Sequence, residues 1–385
     1  MAKRILQIAR ILIVTGINTA FLLTACGTEK QQPSLLYIDV QQHLWGSPRG
    51  GRGITAGGPL RRGPRSPLKR RELRHQRGPS LEGYCAAAAN LLTYMDRYGV
   101  EKTILLPPPR IYENLEEGEI ENLKALVEKY PNRFYLVGGG AILNAMIQKY
   151  PPGQVTEEVK RRFRKEAERL ISMGIKAFGE MAALHISFTE EHVFEESPPD
   201  HPLFLLLADI AAEYNIPIDL HMEAVPKDMP TPAGLSRRNA KVLKENIRAL
   251  ERLLKYNRRT RIVWLHLGWD NTGGKTIALI RRLLKEHANL YCALRIEERL
   301  YAMDGTPMPN RIVDEQWKIK DDWLNLFQEF PDRFVIGSDE FFGIPGRSPR
   351  APQSFEETWA LMEQLPEDLR LKIGRENARR IYNLD

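Results

Sequence analysis

Residues 203–221 read LFLLLADIAAEYNIPIDLH. Leu203 to Tyr214 keeps a helical period, Asn215 and Pro217 break it, and Pro217 to His221 is a short β-type run ending on a polar residue. Helix, stop and strand form a unit, and its recurrence decides the fold. Working outward, strands are predicted at Leu35 to Gln41, Lys102 to Pro107, Phe134 to Gly139, Ile175 to Glu180, Pro217 to His221, Ile262 to Leu267, Leu290 to Ile296 and Phe334 to Asp339. A helix is predicted after each, the clearest being Ala86 to Tyr98, Glu119 to Tyr130, Glu157 to Met173, Leu203 to Tyr214, Asn239 to Tyr256, Ile277 to His287, Asp321 to Phe330 and Phe355 to Gln364. Eight parallel strands with covering helices close most simply into an α/β fold of the (β/α)8 TIM-barrel type, one domain over residues 35–385. An open doubly wound sheet is the alternative; it calls for a glycine-rich turn after the first strand, and the chain has no GxGxxG.

The composition suits a packed core: 385 residues, 43% hydrophobic and 27% charged. The formal charge of +7 is concentrated locally, because residues 46–80 hold ten Lys/Arg against one Glu and leave the remainder at −2. Nucleic-acid binding by the body is therefore disfavoured. The same segment has almost no apolar side chains and is expected to be an unstructured insertion in the first βα loop; a basic arm contacting acidic lipid headgroups is the other reading. Three cysteines, none in a CxxC pair, exclude a disulfide scaffold and a zinc finger. Cys85 and Cys292 are expected as small buried hydrophobes.

Lys3, Arg4 and Arg10 precede an apolar run from Ile11 to Leu23, shorter than the ~20 residues that span a bilayer. It ends in Leu23-Thr24-Ala25-Cys26-Gly27, which resembles the bacterial lipobox. That resemblance implies a signal peptide over 1–25, lipidation of Cys26, a polar tether over 26–34 and a membrane partner reached through the lipid. An ordinary secretory signal with a chance cysteine is the alternative. Gly27 behind the cysteine resembles outer-membrane sorting, where an outer membrane exists.

In a barrel the reactive face lies at the C-terminal ends of the strands. The predicted ends carry metal-ligand types: Asp39-Val40-Gln41-Gln42-His43, Glu180, His221, His266 and Asp339. Gln41 and His43 share a strand face. Singly, each has a bland reading as a satisfied core or capping residue; only their joint arrangement points to a site. In order, they resemble the metal-dependent hydrolases of the amidohydrolase superfamily, most closely the amidohydrolase-related branch that includes decarboxylases. That family has Asp-x-His-x-His on the first strand, Glu or carboxylated Lys on the fourth, His on the fifth and sixth, and Asp on the eighth. The closing Ile373-Gly374-Arg375-Glu376-Asn377-Ala378-Arg379-Arg380-Ile381-Tyr382 is also similar to the branch's final helix. The resemblance runs from about residue 35 to the end, apart from the basic insertion.

The resemblance implies a divalent cofactor, zinc or manganese, and a small-molecule substrate. His43, Glu180, His221 and Asp339 are the implied ligands, and Gln41 stands where the family has the first histidine. An amide oxygen is a weaker donor to zinc than imidazole, so a weakened, mononuclear site is expected. Asp339 is expected to move the proton of an attacking water, and His266 to polarise the substrate carbonyl. The implied reaction is hydrolysis of an amide, lactone or related ester, with decarboxylation or a catalytically impaired binding protein as alternatives. Arg295 could hold a substrate carboxylate or pair with Glu297 or Glu298, and His185 is read as touching substrate or as a plain loop residue. Trp45 and Trp269 wall the pocket or pack at the rim, while His75, His192, His201 and His287 are read as structural or solvated. Nothing on the helices marks an oligomer interface.

Overall fold

The computed structural model describes residues 36–46, 80–111, 118–190, 192–346 and 354–385. The signal peptide (1–25), Cys26, the tether (26–34), His75 and all but the two ends of the basic insertion (46–80) lie outside the described residues. Among those described, no helix is long and apolar enough to cross a membrane.

Eight parallel strands form the barrel: β1 Tyr37–Trp45, β2 Val100–Leu105, β3 Phe134–Leu136 resuming at Gly138–Gly139, β4 Phe178–His185, β5 Ile218–Met222, β6 Ile262–Leu267, β7 Leu290–Leu294 and β8 Phe334–Ile336 resuming at Glu340–Gly343. The first part of β3 pairs with β2 and its second part with β4. Pairing then runs β4 to β5 to β6 to β7 to β8, and β8 returns to β1, so the cylinder closes. The (β/α)8 architecture is thus the observed one, with helices outside: α1 Leu81–Tyr98, α2 Glu119–Lys129, α3 Leu143–Lys149, α4 Glu157–Ser172, α5 Pro202–Glu213, α6 Ile247–Tyr256, α7 Ile277–Glu286, α8 Asp321–Glu329 and α9 Phe355–Met362.

Several boundaries differ from those predicted, each for a local reason. β1 runs on to Trp45 because Gln42 to Trp45 pair with Glu340 to Gly343. β4 starts three residues late and reaches His185, pairing there with Glu195, so His185 is a strand residue and not a loop residue. α1 starts at Leu81 because Ser80 caps it, accepting from the Gly83 amide. α6 begins only at Ile247: Asn239 is drawn into bonds with Ser187, and Asn246 bonds Glu223 and Val225. α3 was not predicted, and five of its seven residues are buried, leaving no polar face to give a helical period.

Two apolar clusters result. The larger lies between strands and helices. The smaller gathers Ile38, Val40, Ile104, Val137, Val263, Leu265, Ala293 and Val335 and is closed by Ala378, Ile381, Tyr382 and Leu384 of the C-terminal segment. That segment follows Glu367–Leu371 through a wide turn, Lys372–Glu376, into Asn377–Tyr382. Asn377 donates to the carbonyls of Pro331 and Phe334, and Gly374 lies where a Cβ would stand 2.7 Å from the Tyr37 ring. Cys292 is buried and Cys85 partly so; both are free thiols.

Candidate metal centre

Strict alternation would send the polar ends of β1 and β6 the wrong way. In β1, Ile38 and Val40 belong to the inner cluster while Tyr37 and Leu44 belong to the outer one. A register shift between Asp39 and Gln42 moves the strand by one residue, so Gln41 and His43 turn toward the site. Asp39 holds this bulge. Its Oδ1 accepts the amides of Gln41 (3.1 Å) and Ser338 (3.1 Å), and its Oδ2 accepts Gln42 Nε2 (2.6 Å) and Ser338 Oγ (2.6 Å). Burial pushes the Asp39 carboxyl up to about 6 against those bonds. β6 uses the same device between Trp264 and Leu267, where His266 adopts φ 61. Asp339 sits at φ 55. Of the non-glycine residues in the left-handed region, these two bear proposed site groups, and there backbone strain is accepted to aim a side chain.

The five aimed groups converge. His43 Nε2 lies 3.2 Å from Asp339 Oδ1 and 3.5 Å from Glu180 Oε2. His266 Nε2 lies 2.9 Å from Glu180 Oε1 and 3.1 Å from His221 Nδ1, and His221 Nδ1 also meets Glu180 Oε1. Two groups able to hold a metal ion follow, Glu180 with His221 and His266, and His43 with Glu180 and Asp339; Glu180 belongs to both. All five residues are nearly or fully buried. Gln41 joins them through Nε2, 3.3 Å from Asp339 Oδ1. His266, expected as a polarising group beside the ligands, stands among them.

The donor set fits a divalent cation. Gln41 Oε1, His43 Nε2 and His266 Nδ1 are buried without a hydrogen-bond partner, a state that buried polar atoms seldom keep. His43 Nδ1 donates to the Leu106 carbonyl (3.0 Å), which leaves Nε2 as the lone-pair donor toward the centre. The electrostatics agree. Burial would lower His43, yet Asp339 and Glu180 beside it push it up to about 9. Burial would raise Glu180 and Asp339, yet the imidazoles around Glu180, and Arg295 with His266 and His43 around Asp339, hold both carboxyls below the ordinary range. Burial keeps His266 low despite its acidic neighbours. The anionic carboxylates and the low His266 match the protonation a metal ion requires, whereas His43, raised by those carboxylates, must give up its Nε2 proton when a cation enters.

A cavity of about 440 Å³ opens onto this centre, lined by Arg110, His185, Phe188, His192, Trp269 and Arg295, besides Glu180, His221 and Asp339. Arg295 faces the site: its Nε lies 3.2 Å from Asp339 Oδ2 and its guanidinium 3.7 Å over the Trp269 ring. The alternative pairing with Glu297 is not made, because Arg299 takes that carboxylate (2.7 Å). Trp269 walls the cavity, stacked with Phe188, whereas Trp45 packs behind His43 through Phe341. His185 is on the cavity wall, its ring 4.7 Å from His221 and 4.5 Å from His192. His192, read from sequence as structural or solvated, also lines the cavity, and its Nδ1 accepts the Phe188 amide. His201 caps α5 and His287 ends α7.

Sequence reasoning passed over Glu195. It sits behind His185, Oε2 to Nδ1 3.6 Å, accepts Asn144 Nδ2 (2.7 Å), and burial pushes its carboxyl up to about 8. Its strand is two residues long, so no periodicity marks it.

The family model described as Amidohydrolase matches residues 86–384. Among solved structures the chain is similar to an uncharacterized TIM-barrel protein from Bordetella bronchiseptica, with 15% identity, 90% of this chain and 98% of that one covered, and a TM-score of 0.48. It is similar to a putative 2-pyrone-4,6-dicarboxylic acid hydrolase from Pseudomonas putida (14% identity, 91% and 98% covered, TM-score 0.46). It is also similar to a 5-carboxyvanillate decarboxylase from Novosphingobium aromaticivorans complexed with manganese (13% identity, 91% and 96% covered, TM-score 0.45). No curated protein matches.

Proposed function

The chain belongs to the Amidohydrolase family, and from that membership we propose that it is a metal-dependent hydrolase acting on an amide, lactone or related ester. The observation that carries this reading is the buried meeting of His43, Glu180, His221, His266 and Asp339 around Glu180's two oxygens. Those residues, with the Gln41 amide oxygen, would hold one zinc or manganese ion. Such an ion supplies Lewis-acid polarisation and acidifies water to a pKa of roughly 7. The chain's own groups do the rest. Asp339, kept ionised, takes the proton of the attacking water and returns it to the leaving group. Arg295 and Trp269 form a cationic, flat wall that orients the substrate over the centre.

Arg295 also favours a second reading, decarboxylation, because a guanidinium directed at the site can clamp a carboxylate by two parallel bonds. The purified protein loaded with zinc or manganese, assayed on lactones, amides and unsaturated carboxylic acids, separates the two: hydrolytic turnover supports the first, carbon dioxide release the second, and inactivity on all of them points to a binding protein. Gln41→His tests the weakened site. It is expected to tighten zinc binding about tenfold, as calorimetry would read; unchanged affinity would show that Gln41 lies outside the coordination.

The membrane address is part of the same proposal. Cys26 is the proposed lipid acceptor, the body being exported and tethered to a bacterial membrane, the outer one where the cell has two. Radiolabelled palmitate should enter the protein and be lost in Cys26→Ala; label retained by that variant would refute the lipobox reading.

A further inference from the structure

Lys275 is a buried cation that the mechanism above does not use. It is 1% exposed and among the largest fully buried side chains. It lies in the segment joining β6 to α7, which follows the left-handed His266 near the end of β6 and includes the cavity wall Trp269. Its Nζ donates to the Trp269 carbonyl (3.0 Å) and the His266 carbonyl (3.4 Å) and pairs with Glu223 Oε2 (3.4 Å). An ammonium has three N–H bonds, and three acceptors surround it. Glu223 is itself fixed by Asn271. Asp270 closes the loop from the other side, its Oδ2 accepting the Lys275 amide (2.9 Å) and Asn310 Nδ2 (2.6 Å), its Oδ1 the amides of Thr272 and Gly273 (3.0 Å each).

A left-handed residue at the end of a strand turns its carbonyl out of the ladder, and a buried carbonyl needs another donor. The His266 carbonyl accepts the Trp269 amide (3.2 Å) and, at longer range, Lys275 Nζ (3.4 Å), so Lys275 is its second donor and links it to the Trp269 carbonyl (3.0 Å). We propose that Lys275, held by Glu223, is a positioning residue of the metal centre, tying the carbonyls of His266 and Trp269 so that the imidazole faces Glu180 and the indole stays on the cavity wall. The proposal rests on the metal reading for the His266 part and on the loop geometry alone for the clamp.

The test uses the full-length protein and Co2+ alone as probe, with hydrogen exchange at residues 266–275 of the metal-free protein. Lys275→Met strands the Glu223 charge, so the Glu223→Gln/Lys275→Met double variant, which leaves no lone buried charge, is the deciding one. Expected are a folded double variant, faster exchange confined to 266–275, Co2+ affinity weaker by about 10- to 100-fold and a changed visible spectrum. Exchange unchanged at 266–275 overturns the clamp. A folded double variant with wild-type Co2+ affinity and spectrum overturns the positioning role. So does a double variant that does not fold, since Lys275 would then be a requirement of the fold. A wild-type protein that takes up no Co2+ overturns the metal reading and the His266 part with it, while the exchange result still decides the clamp.

Discussion

Glu180→Gln is expected to abolish cation binding and to cut turnover by about a thousandfold or more, in a protein that keeps its fold. Glu180 is the residue common to both donor groups, one oxygen toward His221 and His266, the other toward His43. A glutamine of the same shape keeps one acceptor oxygen but places an amide N–H₂ against imidazole nitrogens that are already crowded at 3.1 Å. It also removes one of the two carboxylates in the set, so an entering dication meets half the compensating charge. Elemental analysis of the variant should find no stoichiometric metal, and its circular dichroism should match the wild type. Wild-type metal content in Glu180→Gln would contradict the central position assigned to this residue.

The second large effect concerns stability and its pH dependence at Glu195. Its folded pKa, about 8, lies above its ordinary value of 4.5, chiefly through burial. An acid raised on folding binds its proton more tightly in the native state. Its contribution is therefore fully present below 4.5 and lost as pH rises through 8, with a slope on the order of 1.4 kcal/mol per pH unit between those values. Over that window the wild type forfeits on the order of 5 kcal/mol from this group. Glu195→Gln stays neutral and can keep the bond from Asn144. In urea unfolding of the metal-free proteins, the variant should match the wild type near pH 5 and be clearly more stable near pH 9. Curves that stay parallel at both pH values would mean that Glu195 is ionised at little cost.

The barrel was legible because helix period, stop and strand recur, as in Leu203 to His221, and closure follows from eight such units. The centre was legible for a related reason: His43, His221, His266 and Asp339 stand at or near the ends of strands by either boundary, and Glu180 closes the strand that the sequence predicts although the observed β4 runs on to His185. Less was readable in how they are aimed. A one-residue register shift at Asp39 or after Trp264 leaves no trace in hydrophobic periodicity, since it is set by hydrogen bonds to another strand. The network of Asp39, Gln42 and Ser338 joins residues about 300 apart in sequence. His192 and Lys275 reach the site or its support from irregular connections and Glu195 from a two-residue strand, where residue type alone does not separate a solvated side chain from a buried one. α3 escaped notice because a helix buried on most sides has no amphipathic signature.

One divalent ion is expected among His43, Glu180, His221, His266 and Asp339. Crystals of the full-length protein grown with Mn2+, with diffraction recorded above the manganese absorption edge, test it directly. One anomalous peak is expected within bonding distance of Glu180 and of at least two of the histidines. An anomalous map empty at that point, or a peak held by other residues, would contradict it.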